Sequence, residues 1–497
     1  MMLTRIRQFW TDKPVAALLL IALLPRLGAA VFSKGYAMHD DHFGPIEQPF
    51  IVMNYSTYWT DRTTPHGHSI VYPSMHYALF EGLQTLGLRD PQTTMLIVRL
   101  LHALYSLLIV YYGYKIVEYL ADRDTARKAG LLLALFWAFS FLSVRNLIEV
   151  VCIPPLMAGS YYALRAEDRS RNALFAGLCL GLAFIFRYQT LIFSGTLGLV
   201  FLFTRRYRLG ILLAAGFLLI TTVVQGSVDI FAWGYPFASF IEYVHYNLLH
   251  GQDYTTGPWY NYLLLITGTL IPPMSFLLLF GFLRKWKKTM LVWIPVVVFI
   301  VLHSWFPNKQ ERFMFSVIPL ILILGVVGWE EFARQSRFWI RHATSLRVLW
   351  IWFWVVNVAL LILFTTYYGK KSRVEAMYAL NGKPVTALLL IGGHVGVSQP
   401  PFFYVGKYPV PYCEINNEQE LSLRKSEIAV STVLPNYAVV FGDEDLEGRL
   451  EHVGSVLGYK FSLIKRTEPS LLDYVFYRLN PSHNKNETTI VYEIAPR

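Results

Sequence analysis

The first group of residues able to do chemistry is a polar cluster around residues 38–48. His39, Asp40, Asp41 and His42 follow one another in it, ahead of Gly44-Pro45. Adjacent carboxylates beside histidines can supply a general base with its orienting partners, or metal ligands, whereas a solvated loop would carry them without chemistry. The cluster directly follows an apolar segment, and reduced dielectric at such a boundary can tune the pKa of a carboxylate. This location favours a functional loop.

A second group is cationic and lies at residues 304–313, between two apolar segments. Lys309 and Arg312 can bind phosphate, the arginine by its planar fork and the lysine as a point charge. A surface pair between Glu311 and Arg312 is the alternative. Arg187 and Arg26 are further cations within or between apolar segments, where charged groups usually face a polar cavity.

A third group combines aromatic residues with glycine and proline between residues 229 and 262. Asp229, Asn247, Trp259 and Tyr260 are its candidate binding residues. Aromatic rings can stack on the C–H faces of sugars, and an interfacial aromatic belt is the alternative. Elsewhere, His66 and His68 are spaced only weakly for a metal and no third ligand can be named, so we expect no metal site.

The composition shows which elements must hold these groups. Of 497 residues, 54% are hydrophobic and only 15% charged, which excludes a water-soluble globular enzyme. The aromatic content of 16% suits repeated contact with a membrane–water boundary. The net charge of +11 is better explained by orientation in the bilayer than by nucleic acid, which we exclude as a partner. The three cysteines support no disulfide framework.

The hydropathy pattern predicts an all-α polytopic membrane protein with about eleven crossings. The candidate spans are Pro14–Ser33, Met95–Leu120, Gly130–Val144, Val150–Leu164, Ala173–Phe186, Leu191–Phe203, Leu209–Val228, Tyr262–Leu283, Leu291–His303, Phe313–Phe332 and Leu346–Tyr367. The first lacks a small-residue cleavage site, so we expect it to be retained.

Charge in alternate loops sets the expected orientation, because Lys and Arg are retained on the cytoplasmic side. With the N-terminus inside, twenty cations fall on the inner side and seven on the outer side. The outer seven are Lys34, Arg62, Arg89, Arg145, Arg187, Lys309 and Arg312. The N-terminus is therefore predicted to be cytoplasmic and the C-terminus extracytoplasmic.

Two outer loops and a C-terminal segment complete the expected organisation. Residues 1–368 would form the membrane domain, with outer loops 34–94 and 229–261, both long enough to be functional. Residues 369–497 change character and predict an extracytoplasmic α/β domain, with strand-like runs at Ala387–Ile391, Ala438–Phe441 and Tyr474–Arg478. The Val-Val-Phe-Gly-Asp stretch ending at Asp443 predicts a buried strand and a turn, and we assign this domain no chemistry.

These clusters, in this order, resemble glycosyltransferase family 22, the mannosyltransferases that use dolichyl-phosphate mannose. The family's His-Pro-Asp-Glu is similar to residues 39–42, which puts its aspartate on Asp41. Its Phe-Arg-Pro-Thr is similar to residues 186–190. Its aspartate-to-aromatic run is similar to residues 229–262, and its His-Lys-Glu-x-Arg-Phe to residues 308–313. Asp40 replaces the Pro and His42 the Glu of the first motif, while Asn308 and Gln310 replace the His and Glu of the last, which predicts a divergent branch.

The resemblance implies a GT-C fold with its active site at the outer membrane surface and a polyprenyl- or dolichyl-phosphate sugar as donor. The acceptor would be a glycan or glycolipid, in a bacterial inner membrane or the endoplasmic reticulum. Asp41, with Asp40 as second choice, would be the catalytic base. Other implied roles are phosphate binding by Lys309, Arg312 and Arg187, and substrate binding by His39, His42, Trp59, Asp229, Asn247, Trp259 and Tyr260. No metal or other cofactor is implied.

Two other classes of protein remain as alternatives. A lipid or glycolipid transporter or flippase would show internal repeats and polar residues at mid-depth, whereas here no repeat is found and the polar residues gather on one face. A scaffold whose C-terminal domain recruits a partner would not need the clustered acid, cations and aromatic residues.

Overall fold

The computed structural model describes residues 2–49, 65–393, 398–430, 432–481 and 484–496. They divide into two compact units. The helical unit comprises residues 2–30, 65–72 and 99–366, and the sheet unit comprises 31–49, 73–98 and the described part of 367–496. The beginning of the first outer loop thus belongs to the same unit as the C-terminal segment.

Helices account for most of the described chain. The α-helices are Met2–Asp12, Pro14–Phe32, Val71–Thr85, Pro91–Leu120, Arg123–Leu135, Trp137–Leu142, Ile148–Val151, Ile153–Leu164, Arg171–Phe186, Thr190–Phe203, Tyr207–Ile220, Ser227–Trp233, Ala238–His250, Asn261–Thr269, Met274–Arg284, Met290–Trp305, Ile318–Gln335, Arg337–Arg341, Ala343–Thr365, Lys371–Tyr378, Glu418–Val430, Leu446–Leu457 and Leu471–Leu479. Short 3-10 turns cover His39–Asp41, Glu311–Met314 and Phe402–Val405, and π turns cover Phe43–Glu47 and Thr221–Gly226.

Four of the described helices are long and apolar enough to cross a membrane by themselves. They are Pro14–Phe32, Pro91–Leu120, Tyr207–Trp233 (which includes the π turn) and Ala343–Thr365. Shorter apolar helices lie at Ile148–Leu164, Arg171–Phe186, Thr190–Phe203 and Met290–Trp305. The structure therefore bears out several apolar helices, while the number of eleven crossings stays a prediction.

One expected span, Tyr262–Leu283, is broken into two helices. Asn261–Thr269 and Met274–Arg284 meet at an angle of 115°. Pro272 and Pro273 have no backbone N–H to donate, and the residue before a proline is driven away from the α conformation. Ile271, the residue before Pro272, is not helical either and has a φ of +62°. An uninterrupted helix is thus wrong for this segment.

Glycines let two of the apolar helices approach closely. Arg171–Phe186 packs along Tyr207–Ile220, and a Cβ at Gly177 would collide with the backbone carbonyl oxygen of Leu213. Gly216 lies equally close to the carbonyl of Leu174 on the other helix. Small residues at such crossings are typical of helices that pack in a membrane, where van der Waals contact supplies much of the attraction.

The sheet unit holds one five-stranded sheet. Its strands are β1 (Leu388–Ile391), β2 (Tyr412–Ile415), β3 (Tyr437–Phe441), β4 (Tyr459–Thr467) and β5 (Thr489–Pro496), in the order β2-β1-β3-β5-β4. β1 pairs in parallel with β2 and β3, whereas β5 is antiparallel to both β3 and β4. The small C-terminal sheet expected from the sequence is present, and β1 and β3 match two of the expected strands. β3 is buried along its whole length and ends at Gly442, which has a φ of +75°.

The third expected strand, Tyr474–Arg478, is instead part of the helix Leu471–Leu479. The Ser470 side chain accepts a hydrogen bond from the backbone N–H of Asp473 and so caps the start of this helix. A strand assignment is therefore wrong here, because the local cap and the helical spacing of the apolar residues outweigh the strand propensity of Val475 and the neighbouring aromatic residues.

One face of the sheet anchors the polar loop that follows the first apolar helix. Phe43 and Ile46 belong to the same buried core as Leu388 of β1 and Val439 of β3. The turn Phe402–Val405 packs into this core as well. The sheet unit thereby fixes the segment that carries the two adjacent aspartates.

Candidate active site

The two adjacent aspartates lie in a 3-10 turn that gives them different surroundings. The turn is closed by backbone hydrogen bonds from Asp41 to Met38 (3.1 Å) and from His42 to His39 (3.1 Å). Asp41 is only 1% exposed, and its Oδ2 accepts a hydrogen bond from the backbone N–H of Ala37 at 2.9 Å. The Asp40 side chain is 52% exposed. Asp41 is therefore the carboxylate that the fold holds in place.

His39 lies beside Asp40 at the edge of this turn. Its Nδ1 lies 3.5 Å from Oδ1 of Asp40, and its Nε2 lies 3.1 Å from Oε1 of Gln399. Its ring stacks on Phe43 with 4.4 Å between centroids. The hydrogen bond with Asp40 is the largest of the contacts that raise the pKa of His39. His39 thus has both polar contacts and an exposed edge.

His42 is directed inward and supports the turn. Its Nε2 lies 3.0 Å from Oε1 of Glu47, and both side chains are buried. Its ring stacks between Tyr36 and Tyr404, with centroid distances of 5.1 Å and 5.5 Å. The same Glu47 oxygen accepts the backbone N–H of Phe403 at 2.8 Å. Glu47 therefore ties the segment that carries the two adjacent aspartates to the Phe402–Val405 turn, and substrate binding by His42 stays a prediction.

We expect Glu47→Ala to destabilise the sheet unit strongly. The change leaves the imidazole of His42 and the N–H of Phe403 buried without their acceptor, and breaking a buried pair typically lowers the free energy of unfolding by about 3–5 kcal/mol. The measurement is the unfolding temperature of the purified protein in detergent. Glu47→Gln keeps an amide oxygen that can accept the N–H of Phe403, so its unfolding temperature should fall less. Removal of an exposed acid, Glu451→Ala, is the control, and an unfolding temperature for Glu47→Ala equal to that control would contradict the expected role.

Arg187 is the most enclosed of the predicted phosphate-binding cations. It is 1% exposed and follows the end of the helix Arg171–Phe186. Its Nε donates to Oε1 of Gln189 at 2.9 Å, and its Nη1 donates to the carbonyl of Phe313 at 3.0 Å and to Oγ of Ser316. Within the part of the chain that the structure describes, Nη2 has no hydrogen-bond acceptor. One donor of this guanidinium is thus buried without an acceptor among the described residues.

Lys309 is buried in the connection between the helices Met290–Trp305 and Ile318–Gln335. Its Nζ donates to the carbonyls of His303 (3.1 Å) and Phe306, and it lies 5.7 Å from the ring centre of Tyr262. Burial lowers the pKa of Lys309. An anionic ligand would favour its charged form.

Arg312 pairs with a buried acid. Its Nε lies 3.3 Å from Oε1 of Glu149, which is distant in the sequence. The alternative prediction is a surface pair with the neighbouring Glu311. Ser316 links the two arginines, since its hydroxyl contacts both Arg187 and the backbone carbonyl of Glu149 (3.0 Å). Ser316 and Glu149 thus form a short chain of contacts between Arg187 and Arg312.

The rings of Phe299 and Phe313 lie beside the two arginines, and His303 lies between Phe299 and Lys309. The guanidinium carbon of Arg187 lies 5.8 Å and 5.5 Å from these two ring centres, and that of Arg312 lies 6.0 Å from Phe313. His303, whose carbonyl accepts from Lys309, stacks on Phe299 at 4.1 Å. We call Arg187, Lys309 and Arg312 with these neighbours the cation cluster. Glu149 is the acid that the described contacts place in it.

Three members of the cation cluster are not indicated by the sequence motifs: Glu149, Ser316 and His303. Glu149 does carry a signal, because an acid within an apolar segment is costly and usually has a partner. Ser316 carries none, since its contact with Arg187 depends on how separate helices pack. Tyr262 ends the aromatic run at residues 229–262, but its contact with Lys309 could not be read from that run.

The second outer loop reaches the cation cluster through backbone pairing. Thr256 forms an antiparallel bridge with Asn308, and the N–H of Lys309 donates to the carbonyl of Thr255 at 2.8 Å. Trp259 follows this bridge and is 65% exposed, with Tyr260 packed edge-on at 5.8 Å. Both rings therefore have free surface close in sequence to residues that contact Lys309.

Asp229 and Asn247 are held by the chain itself. Asp229 is fully buried and accepts from Gln225 Nε2 (2.9 Å), Ser239 Oγ (2.7 Å) and the N–H of Ser239 (3.2 Å). Asp229 thereby supplies an acceptor for a backbone N–H group in the first turn of the helix Ala238–His250. The amide of Asn247 donates to the carbonyl of Tyr243 on that helix at 2.8 Å. Substrate binding by these two residues stays a prediction.

Two remaining candidates have different outcomes. Trp59 lies outside the described residues. Arg26 does not face a polar cavity, because its guanidinium donates to the carbonyls of Ala22, Leu133 and Ala134 and to the hydroxyl of Ser106. These carbonyls include the end of the helix Arg123–Leu135, so Arg26 stabilises a helix break.

Comparison with known proteins identifies the family. A model of the Alg9-like mannosyltransferase family matches residues 20–390. GPI mannosyltransferase 3 of Yarrowia lipolytica is 22% identical over 65% of this chain and 64% of its own length. Human GPI alpha-1,2-mannosyltransferase 3 is 23% identical over 55% and 50%, and mouse alpha-1,2-mannosyltransferase ALG9 is 30% identical over 27% and 26%. Each match thus spans less than two thirds of the relative.

Solved structures share the fold. ArnT from Cupriavidus metallidurans, bound to undecaprenyl phosphate, aligns with a TM-score of 0.60 at 14% identity, covering 96% of this chain and 97% of ArnT. AglB from Archaeoglobus fulgidus, in complex with an inhibitory peptide and a dolichol-phosphate, aligns with a TM-score of 0.55 at 12% identity, covering 87% and 70%. These similarities confirm the expected GT-C fold.

Proposed function

The chain belongs to the Alg9-like mannosyltransferase family, and from this premise we propose that it is an integral-membrane glycosyltransferase. It transfers a sugar, with mannose as the first candidate, from a polyprenyl- or dolichyl-phosphate donor to a lipid-linked or extracytoplasmic glycan. The reaction takes place on the non-cytoplasmic face of a bacterial inner membrane or of the endoplasmic reticulum, with the N-terminus in the cytoplasm. The relatives support mannose by their names alone.

The observation that carries this proposal is the cation cluster. Arg187, Lys309 and Arg312 are held together by shared neighbours, with Glu149 as the acid opposite them. Charged side chains are costly within a membrane protein and usually serve an anionic ligand or a charge pathway. What supports a lipid-linked phosphate as the ligand is that Nη2 of Arg187 is a donor of a planar guanidinium and has no acceptor among the described residues.

In the proposed mechanism, Asp41 acts as the general base. A hydroxyl oxygen of the acceptor attacks the anomeric carbon of the donor sugar, and Asp41 takes the hydroxyl proton. The new carbon–oxygen bond forms as the bond from the anomeric carbon to the phosphate oxygen breaks, with inversion at that carbon. A base of this kind typically contributes about 10²–10⁴-fold to the rate.

The cations act on the leaving group. Negative charge gathers on the departing polyprenyl phosphate, and fixed positive charges stabilise it most where water is excluded. Arg187 and Lys309 are both buried, which suits this role. Because these side chains can neutralise a monophosphate, the mechanism requires no metal. Trp259 and Tyr260 are the proposed neighbours of the sugar or of the lipid phosphate.

The test is sugar transfer by the purified protein in liposomes. Radiolabelled mannose or glucose on a polyprenyl phosphate is the donor, and the acceptor is lipid extracted from cells that lack the protein. We expect label to move from the mannosyl lipid to a larger glycolipid, with nucleotide sugars inactive in its place. Absence of transfer from every lipid-phosphate donor, with the protein shown to be folded, would refute the proposal. Movement of intact glycolipid between leaflets would favour a flippase.

A further inference from the structure

The helix Leu471–Leu479 of the sheet unit presents an apolar stripe to its outside. Leu471 and Leu479 are 75% and 77% exposed, and Tyr474 and Val475 are exposed between them. These residues and the exposed Arg478 follow the spacing i, i+3, i+4, i+7 and i+8, which places them on one side of the helix. A contiguous exposed apolar stripe of this kind usually marks an interaction surface.

The opposite side of the helix is firmly fixed. Asp473 is fully buried, and its carboxylate accepts from the hydroxyl of Tyr367 (2.7 Å) and from the N–H of Lys371 (3.1 Å). The amide of Asn486 donates to its backbone carbonyl at 3.2 Å. Phe476 packs edge-on against Tyr367 at 6.0 Å. These contacts set the rotation of the helix about its axis, so the outward direction of the stripe is built into the fold.

These anchoring contacts also join the helix to residues at the ends of two candidate spans. Tyr367 comes two residues after Thr365, the end of the candidate span Ala343–Thr365. The carbonyl of Tyr367 accepts the hydroxyl of Ser33 at 2.9 Å, and Ser33 directly follows the candidate span Pro14–Phe32. Two candidate spans therefore end within a few residues of the Tyr367 that holds Asp473.

We propose that the helix Leu471–Leu479 lies in the bilayer interface at the surface from which Ser33 and Tyr367 emerge. Leu471, Val475 and Leu479 would enter the acyl region. Arg478 donates from Nε to the hydroxyl of Tyr474 at 2.9 Å and lies 5.1 Å from its ring centre. An arginine and a tyrosine flanking an apolar stripe are typical of interfacial helices, where the charged head remains at the lipid phosphates.

A lipid surface is favoured over a protein partner by this continuity with the spans. The helix is anchored to Tyr367, which comes just after the candidate span Ala343–Thr365 and accepts a hydrogen bond from Ser33, the residue after the candidate span Pro14–Phe32. A bilayer that surrounds these two spans would therefore end close to Tyr367. The proposal concerns the attachment of the sheet unit and does not depend on the transferase activity. Because the attachment is measured directly, its failure would leave the proposed function standing.

The test is depth-resolved fluorescence quenching on the full chain in liposomes. Leu479→Cys is labelled with bimane, and phosphatidylcholine carrying a shallow doxyl group is the quencher. The matched control is Leu463→Cys, since Leu463 is 63% exposed on β4 of the same unit. The unsubstituted chain, labelled in parallel, corrects for Cys152, Cys179 and Cys413.

We expect a blue shift and at least about twofold loss of emission for the label at residue 479, with neither change at residue 463. Leu471→Cys, at the other end of the stripe, gives the same reading if Leu479→Cys is not recovered folded. Equal and weak quenching at 479, 471 and 463 would overturn the proposal. Protection of residue 479 from aqueous iodide without doxyl quenching would also overturn it, since it would show a protein covering the stripe.

Discussion

Asp41→Asn should lower the rate of sugar transfer by about 10²–10⁴-fold while leaving the protein folded. Asparagine keeps a side-chain oxygen that can accept the N–H of Ala37, so the 3-10 turn retains its hydrogen bond. What the change removes is the basic carboxylate, and with it the acceptor for the proton of the attacking hydroxyl. The measurement is the initial rate of transfer from a polyprenyl-phosphate sugar in liposomes, at equal amounts of protein with equal unfolding temperatures.

Asp40→Asn is the matched control for this prediction. It makes the same chemical change one residue away, on a side chain that is half exposed and hydrogen-bonds with His39. We expect a loss of less than about tenfold, because an exposed carboxylate is less constrained in position. Full activity in Asp41→Asn combined with a large loss in Asp40→Asn would move the base to Asp40. Full activity in both variants would remove the base from this turn.

The three cations could be singled out from the sequence because Lys and Arg are usually depleted in the outer loops of membrane proteins. The predicted orientation puts Lys309, Arg312 and Arg187 on the side of the membrane where positive charge is usually depleted, so the sequence alone marks them as informative. Their contacts could not be predicted. Arg312 finds Glu149 more than one hundred and fifty residues away in sequence, and no local pattern indicates which acid a folded helix bundle will present.

In the first outer loop, too, the residue types could be recognised in the sequence but their contacts could not. The adjacent aspartates are recognisable in the sequence as a candidate base, but their different burial depends on how the turn His39–Asp41 packs on the sheet unit. Glu47 is, by sequence, only a nearby acid. Its role in joining His42 to the Phe402–Val405 turn depends on a segment more than three hundred and fifty residues downstream.

Local signals fail where two patterns compete within a short window. Tyr474–Arg478 suits a strand by composition, yet Ser470 and Asp473 form an N-terminal cap that indicates a helix. In the expected span at residues 262–283, hydropathy masks the double proline at 272–273, although proline removes the donor that a continuous helix needs. In both segments the backbone, through a helix cap or a proline, decides the structure against side-chain composition.

Arg187→Gln should lower the rate of transfer by about 10²–10³-fold, as removal of one preorganised donor to a developing negative charge typically does. Nε and Nη1 of Arg187 are held by Gln189, Phe313 and Ser316, so the guanidinium plane is fixed and Nη2 is presented in a set direction. Glutamine loses both the charge and that donor. Arg187→Lys keeps the positive charge but loses the planar guanidinium, so its rate of transfer should lie between those of the wild type and Arg187→Gln.

Inhibition by free polyprenyl phosphate separates this role from that of Asp41. The lipid phosphate is the product that the cations are proposed to hold, so its inhibition constant should rise in Arg187→Gln and stay close to the wild-type value in Asp41→Asn. A structural defect alone would lower the unfolding temperature and the rate together without this split. Equal inhibition constants in Arg187→Gln and the wild type would show that Arg187 does not bind the phosphate. The transfer rate of Asp41→Asn tests the proton-accepting role, and the inhibition constant of Arg187→Gln tests the phosphate-binding role. Either role can therefore be refuted while the other stands.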